Sequence, residues 1–131
     1  MLSSPRKVSK LFIKFLKWGK IDKANYLLTQ YPEYELPYQK AFQESYENKC
    51  LNSCKWIYEY CIQNNVEFKI DNIISVFLYA CDTRNWDFVK LIINNDKNSY
   101  NWKNIVLDAL QNKKIMEYNY IQLIKLNILN E

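Results

Sequence analysis

Residues Ser75 to Ile93 read as an apolar helical segment, a four-residue polar turn from Asp82 to Asn85, and a second apolar helical segment opened by Trp86, and echoes of this unit lie on both sides of it. Phe12, Phe42 and Phe77 each stand nine residues ahead of Ile21, Leu51 and Trp86, while Lys55, Lys90 and Lys125 follow one another at 35 residues. A period of roughly 20 to 50 residues is the mark of one supersecondary unit stacked on its own copies. The spacing predicts an all-α, helix-turn-helix solenoid of about four repeats, near residues 9–30, 38–62, 72–94 and 102–129, forming a single domain over 1–131. The last repeat fits this register, with Ile121 opening its second helix, only if about six residues around Gln111 to Glu117 are inserted.

The small pair Ala80-Cys81, the tight turn and the run Trp86-Asp87-Phe88-Val89-Lys90-Leu91-Ile92 resemble the second half of an ankyrin repeat. The resemblance spans roughly Ser9 to Leu129 and is divergent. No Thr-Pro-Leu-His tetrapeptide occurs, although Ser75 and Phe77 stand where its Thr and Leu would be. With its Asn, Lys, Ile and Tyr bias, the chain looks like the ankyrin proteins of large DNA viruses and of other AT-rich genomes. Such a resemblance implies a non-catalytic scaffold or adaptor that binds another protein on a concave face or through its connector tips.

Glycine occurs once in 131 residues, at Gly19, and proline three times, too few turn signals for an all-β chain. Turns that need a positive φ must therefore use other residues, and Asn48, Asn85 and Asn119 are the expected ones because asparagine tolerates that region best after glycine. Half the residues are apolar, with 16% aromatic, enough to bury a working core. No apolar run reaches membrane-spanning length and no charged-then-apolar leader opens the chain, so the expectation is a soluble protein of the reducing cytoplasm. Met1 to Pro5 reads as a short polar leader, frayed at its end.

Histidine is absent, which removes every His-based metal site and catalytic dyad. Cys50, Cys54 and Cys61 share a helical stripe with Ile57, and burial in the core outweighs a zinc site or a disulfide as the reason. One glycine cannot build a phosphate-cradling loop. The carboxylates Glu44 and Glu47, or Asp82 and Asp87, fall at spacings ordinary for solvated helix faces, and Ser53 has no base near it in sequence. The chain carries no signal for an enzyme, a cofactor or a metal.

Charge is concentrated at one end. Arg6, Lys7, Lys10, Lys14, Lys17, Lys20 and Lys23 face Asp22 alone in the first 23 residues, while the whole chain sums to +4. Lys7, Lys10, Lys14 and Lys17 line one face of a helix whose other face carries Leu11, Phe12, Phe15 and Leu16. Two uses fit this stripe: solubilising the outer face of a terminal repeat, or binding nucleic acid or another polyanion. An acidic protein is a weaker fit, and a membrane surface weaker still. Trp18 near Lys14 and Lys17, and Trp102 beside Lys103, are of a kind that stacks on bases, but no exposed pair recurs in every repeat as a nucleotide-reading repeat would require. The protein-binding expectation falls on connector residues Tyr34, Glu35, Glu67 and Lys69. The connector YPEYELPY exposes tyrosines beside carboxylates, with packing the expected use of at least two of them. The connectors Gln63 to Ile70 and Asn94 to Trp102 leave room for extended fingers, with Asp71 and Ser99 as helix N-caps after them.

Overall fold

A computed structural model of the chain describes residues 3–129. They form eight helices: α1 (Pro5–Lys17), α2 (Ile21–Gln30), α3 (Tyr38–Glu47), α4 (Leu51–Gln63), α5 (Ile73–Asp82), α6 (Trp86–Asn95), α7 (Trp102–Gln111) and α8 (Glu117–Lys125). Among the described residues there is no strand, and no helix is long and apolar enough to cross a membrane. Ser4 caps α1 by accepting a hydrogen bond from the Lys7 amide at 3.3 Å, and Pro5 opens the helix at a position whose missing N–H costs nothing. The frayed end expected of the leader falls on Met1 and Leu2, which lie outside the described residues.

The chain divides into two compact units, Met1–Ile70 and Asp71–Glu131. In the first, α1 packs against α2 and α3, and α3 against α4. In the second, α5 packs against α6 and α7, and α7 against α8. The two units thus share one wiring, in which first helices of successive pairs touch and each carries its own second helix.

The device that repeats most faithfully is the turn that closes each first helix. Gly19, Lys49, Arg84 and Lys113 all have φ between 58° and 75°. At each, the amide of the positive-φ residue donates to the carbonyl three residues back and the next amide donates to the carbonyl five back. The pairs are Gly19 to Leu16 with Lys20 to Phe15, Lys49 to Tyr46 with Cys50 to Ser45, Arg84 to Cys81 with Asn85 to Ala80, and Lys113 to Leu110 with Lys114 to Ala109. This double bond satisfies carbonyls that the helix end leaves free. Asn65 and Asn127 close α4 and α8 the same way. Counting from the turn residue aligns the pairs: seven positions earlier stand Phe12, Phe42, Phe77 and Val106, all buried.

That alignment corrects the sequence reading in four places. The positive-φ residues are Lys49 and Arg84, not Asn48 and Asn85, because helix length and backbone hydrogen bonding choose the position before residue type does. Asn48 instead spends its amide on the Lys17 carbonyl at 2.8 Å, Asn85 is the N-cap of α6, and Asn119 lies buried within α8. The last pair gains about two residues rather than six, since α8 starts four residues after its turn residue where the other second helices start two after theirs. Lys125 therefore ends α8, whereas Lys55 and Lys90 are fifth in α4 and α6, and the fifth residue of α8 is Ile121. The N-caps after the later connectors are Asn72 and Asn101, each closer to its helix than Asp71 and Ser99, and the Asn101 side chain accepts from the Asn104 amide at 3.1 Å.

In the first unit, the end of α1 is held by the second helix pair. Ser53 Oγ, fully buried, donates to the Leu16 carbonyl at 2.6 Å, and Asn48 Nδ2 donates to Lys17 one residue on. These two bonds fix the last turn of α1, and with it the basic residues that turn carries.

Candidate functional site

Lys7, Lys10 and Lys14 project from the exposed side of α1 and Lys17 is half-buried at its end. Lys10, Lys14 and Lys17 line one shallow groove of about 300 Å³ with Ile13, Trp18, and two residues of α3, Lys40 and Glu44. Lys7 lies outside it. The groove thus gathers four ammonium groups against one carboxylate. Trp18, the residue that ends α1, is 61% exposed, with Lys17 Nζ 6.0 Å from its ring centroid. Lys14 and Lys17 stand in the last turn of α1, where the negative end of the helix dipole attracts cations.

Lys40 is the member that a reading of α1 alone misses. Counted from the turn residues, Lys40 of α3 occupies the position that Lys10 occupies in α1, so aligning the first helices reveals it. The second tryptophan named for base stacking is unavailable: Trp102 is buried, its Nε1 donates to the Asp96 carbonyl at 3.1 Å, and its ring packs on Phe77 at 4.6 Å.

The connector residues sit at another edge of the same unit. Gln39 Nε2, in the first turn of α3, donates to the Lys69 carbonyl at 2.6 Å, which lays the segment after α4 beside the start of α3 and so beside the connector bearing Tyr34 and Glu35. Phe68 packs on Phe42 and Tyr58, and Leu36 and Ile70 anchor the two segments in the core. Glu35, Glu67 and the Lys69 side chain remain exposed. Tyr34 does not: its hydroxyl donates to the Ser3 carbonyl at 2.7 Å and its ring stacks on Tyr31 at 5.1 Å. Tyr38 is engaged as well, stacked on Tyr60 at 5.6 Å and edge-on to Phe12, with burial and the Tyr60 hydroxyl pushing its own ionisation well above the usual phenol range. All three connector tyrosines are packing residues.

The cysteines are unpaired. Cys54, Cys61 and Cys81 are buried, and desolvation raises their thiols from the ordinary value of about 9 to about 12, 11 and 12. Cys50 departs from the stripe expected of it: it precedes α4 as its N-cap and is half-exposed, with Sγ 3.3 Å from Ser53 Oγ.

The chain matches no family model, no curated protein and no solved structure. What the chain defines by itself is a class, an all-α protein of repeated helix pairs.

Proposed function

We propose that the chain is a non-catalytic protein-interaction module, an intracellular scaffold or adaptor built of divergent ankyrin-like helix pairs of the kind large DNA viruses encode. The observation that carries this reading is the repeated pair itself: four first helices closed by one turn motif, with successive first helices packed together in each unit. Stacked pairs of this sort bury their cores internally and leave helix faces and connectors as binding surface. Glu35, Glu67 and Lys69 offer exposed polar groups on two adjoining connectors held by the Gln39 bond. Buried, unpaired thiols suit a reducing compartment. Affinity capture with the intact protein from its native source tests this reading. A partner is expected to be lost on the double change Glu35→Lys and Glu67→Lys and retained on Lys10→Gln with Lys14→Gln. Equal capture by wild type and the connector variant refutes the assignment of that edge.

A second reading, polyanion binding through the basic end, is favoured by one observation, the convergence of Lys10, Lys14, Lys17 and Lys40 on a single groove.

A further inference from the structure

We propose that the groove between α1 and α3 binds single-stranded nucleic acid, with Trp18 as the platform on which a base stacks and Lys10, Lys14, Lys17 and Lys40 as partners of the flanking phosphates. The proposal rests on the polyanion reading and is independent of the connector surface.

Charge complementarity is the first argument. The groove carries four cations and the single carboxylate of Glu44, and Lys10, Lys14 and Lys17 recur at four and three residues along one helix. A rise of about 1.5 Å per residue separates their backbone positions by about 6 and 4.5 Å, short enough for flexible lysines to follow successive phosphates.

The second argument is the indole. Trp56 and Trp86 are half-buried and Trp102 is buried, so Trp18 alone presents most of its ring to solvent, and it does so at the rim of the basic groove. A groove of cations interleaved with an exposed aromatic face is the arrangement by which single strands are held, because every base has a π-face and the contact tolerates sequence. A duplex keeps its base faces inside its own stack, so it reaches the lysines and leaves the indole without a partner. An acidic protein segment satisfies the lysines too, but its carboxylates make no use of the ring.

Selectivity follows from what the rim lacks. Its side chains are four lysines, an isoleucine, a tryptophan and a glutamate, with no amide or hydroxyl to read base edges. The groove is expected to bind single strands of differing sequence alike.

Fluorescence anisotropy of the full-length protein with a labelled twelve-nucleotide oligothymidylate, titrated with salt from about 50 mM, tests this, with an unlabelled duplex of equal length and poly-glutamate as competitors. Trp18→Ala is expected to weaken single-strand binding about tenfold at unchanged salt slope, since one stacked base is lost and no phosphate contact, while Trp18→Phe retains most of the affinity. Combining Lys10→Gln, Lys14→Gln and Lys40→Gln is expected to flatten the log–log salt slope by about 2, at roughly 0.7 per phosphate on a single strand. Lys7→Gln, outside the groove, is expected to change the slope by far less. Melting curves of all variants should match wild type because Trp18, Lys7, Lys10, Lys14 and Lys40 are exposed. Absence of oligothymidylate binding at low salt overturns the proposal, as does equal binding by Trp18→Ala. Competition by the duplex or by poly-glutamate as effective as that of the single strand also overturns it, reassigning the groove to general phosphate or acidic-protein contact. None of these results bears on the connector variants, whose loss of a protein partner tests the first reading separately.

Discussion

Replacing Lys49 by glycine should make this protein more stable, although it deletes a side chain and adds no contact. Lys49 holds φ at 59°, a region in which a Cβ crowds the following carbonyl at a cost of about 1–2 kcal/mol. Glycine escapes that cost but loses more freedom on folding, by about 0.5–1 kcal/mol. The difference leaves a gain centred on about 0.75 kcal/mol, within a range of about 0–1.5 kcal/mol. The side chain of Lys49 is exposed, so little packing is lost. Urea denaturation followed by circular dichroism reads the change as a higher midpoint at constant m, and the melting temperature should rise by about 2–5 °C.

Two controls separate the backbone from the charge. Lys49→Ala removes the same ammonium group while keeping the Cβ, so it should stay within about 0.5 kcal/mol of wild type. Arg84→Gly relieves a φ of 61° but also removes a guanidinium 4.5 Å from the Tyr118 ring centroid. That contact is worth about 0.5–1 kcal/mol at an exposed site, and the net effect should be near zero. The converse holds at Gly19, where φ is 75° and an added Cβ would meet Cys50 Sγ at 3.3 Å, so Gly19→Ala should cost about 1–2 kcal/mol. If Lys49→Gly proves no more stable than Lys49→Ala, left-handed strain is not what this turn stores, and the reasoning fails.

Ser45→Ala should stabilise by about 1 kcal/mol in the same denaturation assay. Its fully buried hydroxyl has no partner among the described residues, and Ala80 and Ala109 fill the equivalent place in later pairs. Ser53→Ala should destabilise by about 0.5–1.5 kcal/mol, because the Leu16 carbonyl loses a 2.6 Å side-chain donor while keeping the Gly19 amide. Alkaline titration should unfold the protein through its thiols. Cys54 and Cys81 are held protonated to about 12 in the fold against about 9 when exposed, so their contribution is fully present below pH about 9 and is lost as pH rises towards 12, at about 1.4 kcal/mol per pH unit per thiol. Stability that stays flat from pH 9 to 11 would contradict this. Under native conditions at neutral pH a thiol reagent should modify Cys50 first, since it alone of the four is half-exposed, and mass spectrometry of the digest reads the order.

The helix pairs were legible because burial imposes the same pattern on each: Phe12, Phe42 and Phe77 are all core residues at one point of the first helix. The fourth copy was misread for a physical reason. Its core place is filled by Val106, whose apolar character is common along the chain, and its longer turn displaces α8, so a coincidence of lysines at 35 residues set the register instead. Asn48 and Asn85 miss the left-handed position by one, and Asn119 lies inside α8 beyond Lys113, because a left-handed position in a helix cap is selected by which carbonyls need donors. Lysine and arginine accept it at a cost that no composition scale displays. The tyrosines of the second connector illustrate the opposite limit. Packing was the expected use of at least two of them, and Tyr34, named as contact surface, joins them, because a ring in a Pro-rich segment with a core beside it gains more by stacking, as Tyr31 does on Tyr34 and Tyr38 on Tyr60.

The basic end shows how structure divides one sequence feature into two. Charge on the outer face of a helix pair serves solubility, and Lys7, Lys10 and Lys14, being exposed, meet that need by themselves. Solubility does not require an indole in water, nor a fourth lysine supplied from α3 at the place equivalent to Lys10. Trp18 is nevertheless exposed at the end of a helix whose last turn is fixed by Ser53 and Asn48, so the indole extends from a backbone held in place. A charged coat tolerates loose lysines, whereas a binding groove gains from a tethered one, because each restraint made on folding is an ordering cost not met again on binding. Loss of the Ser53 bond should therefore weaken single-strand affinity as well as stability, by a few-fold at temperatures where Ser53→Ala remains folded. A coat serving solubility alone would show no such coupling, and unchanged affinity in that variant would leave the groove without the preorganisation argued for it.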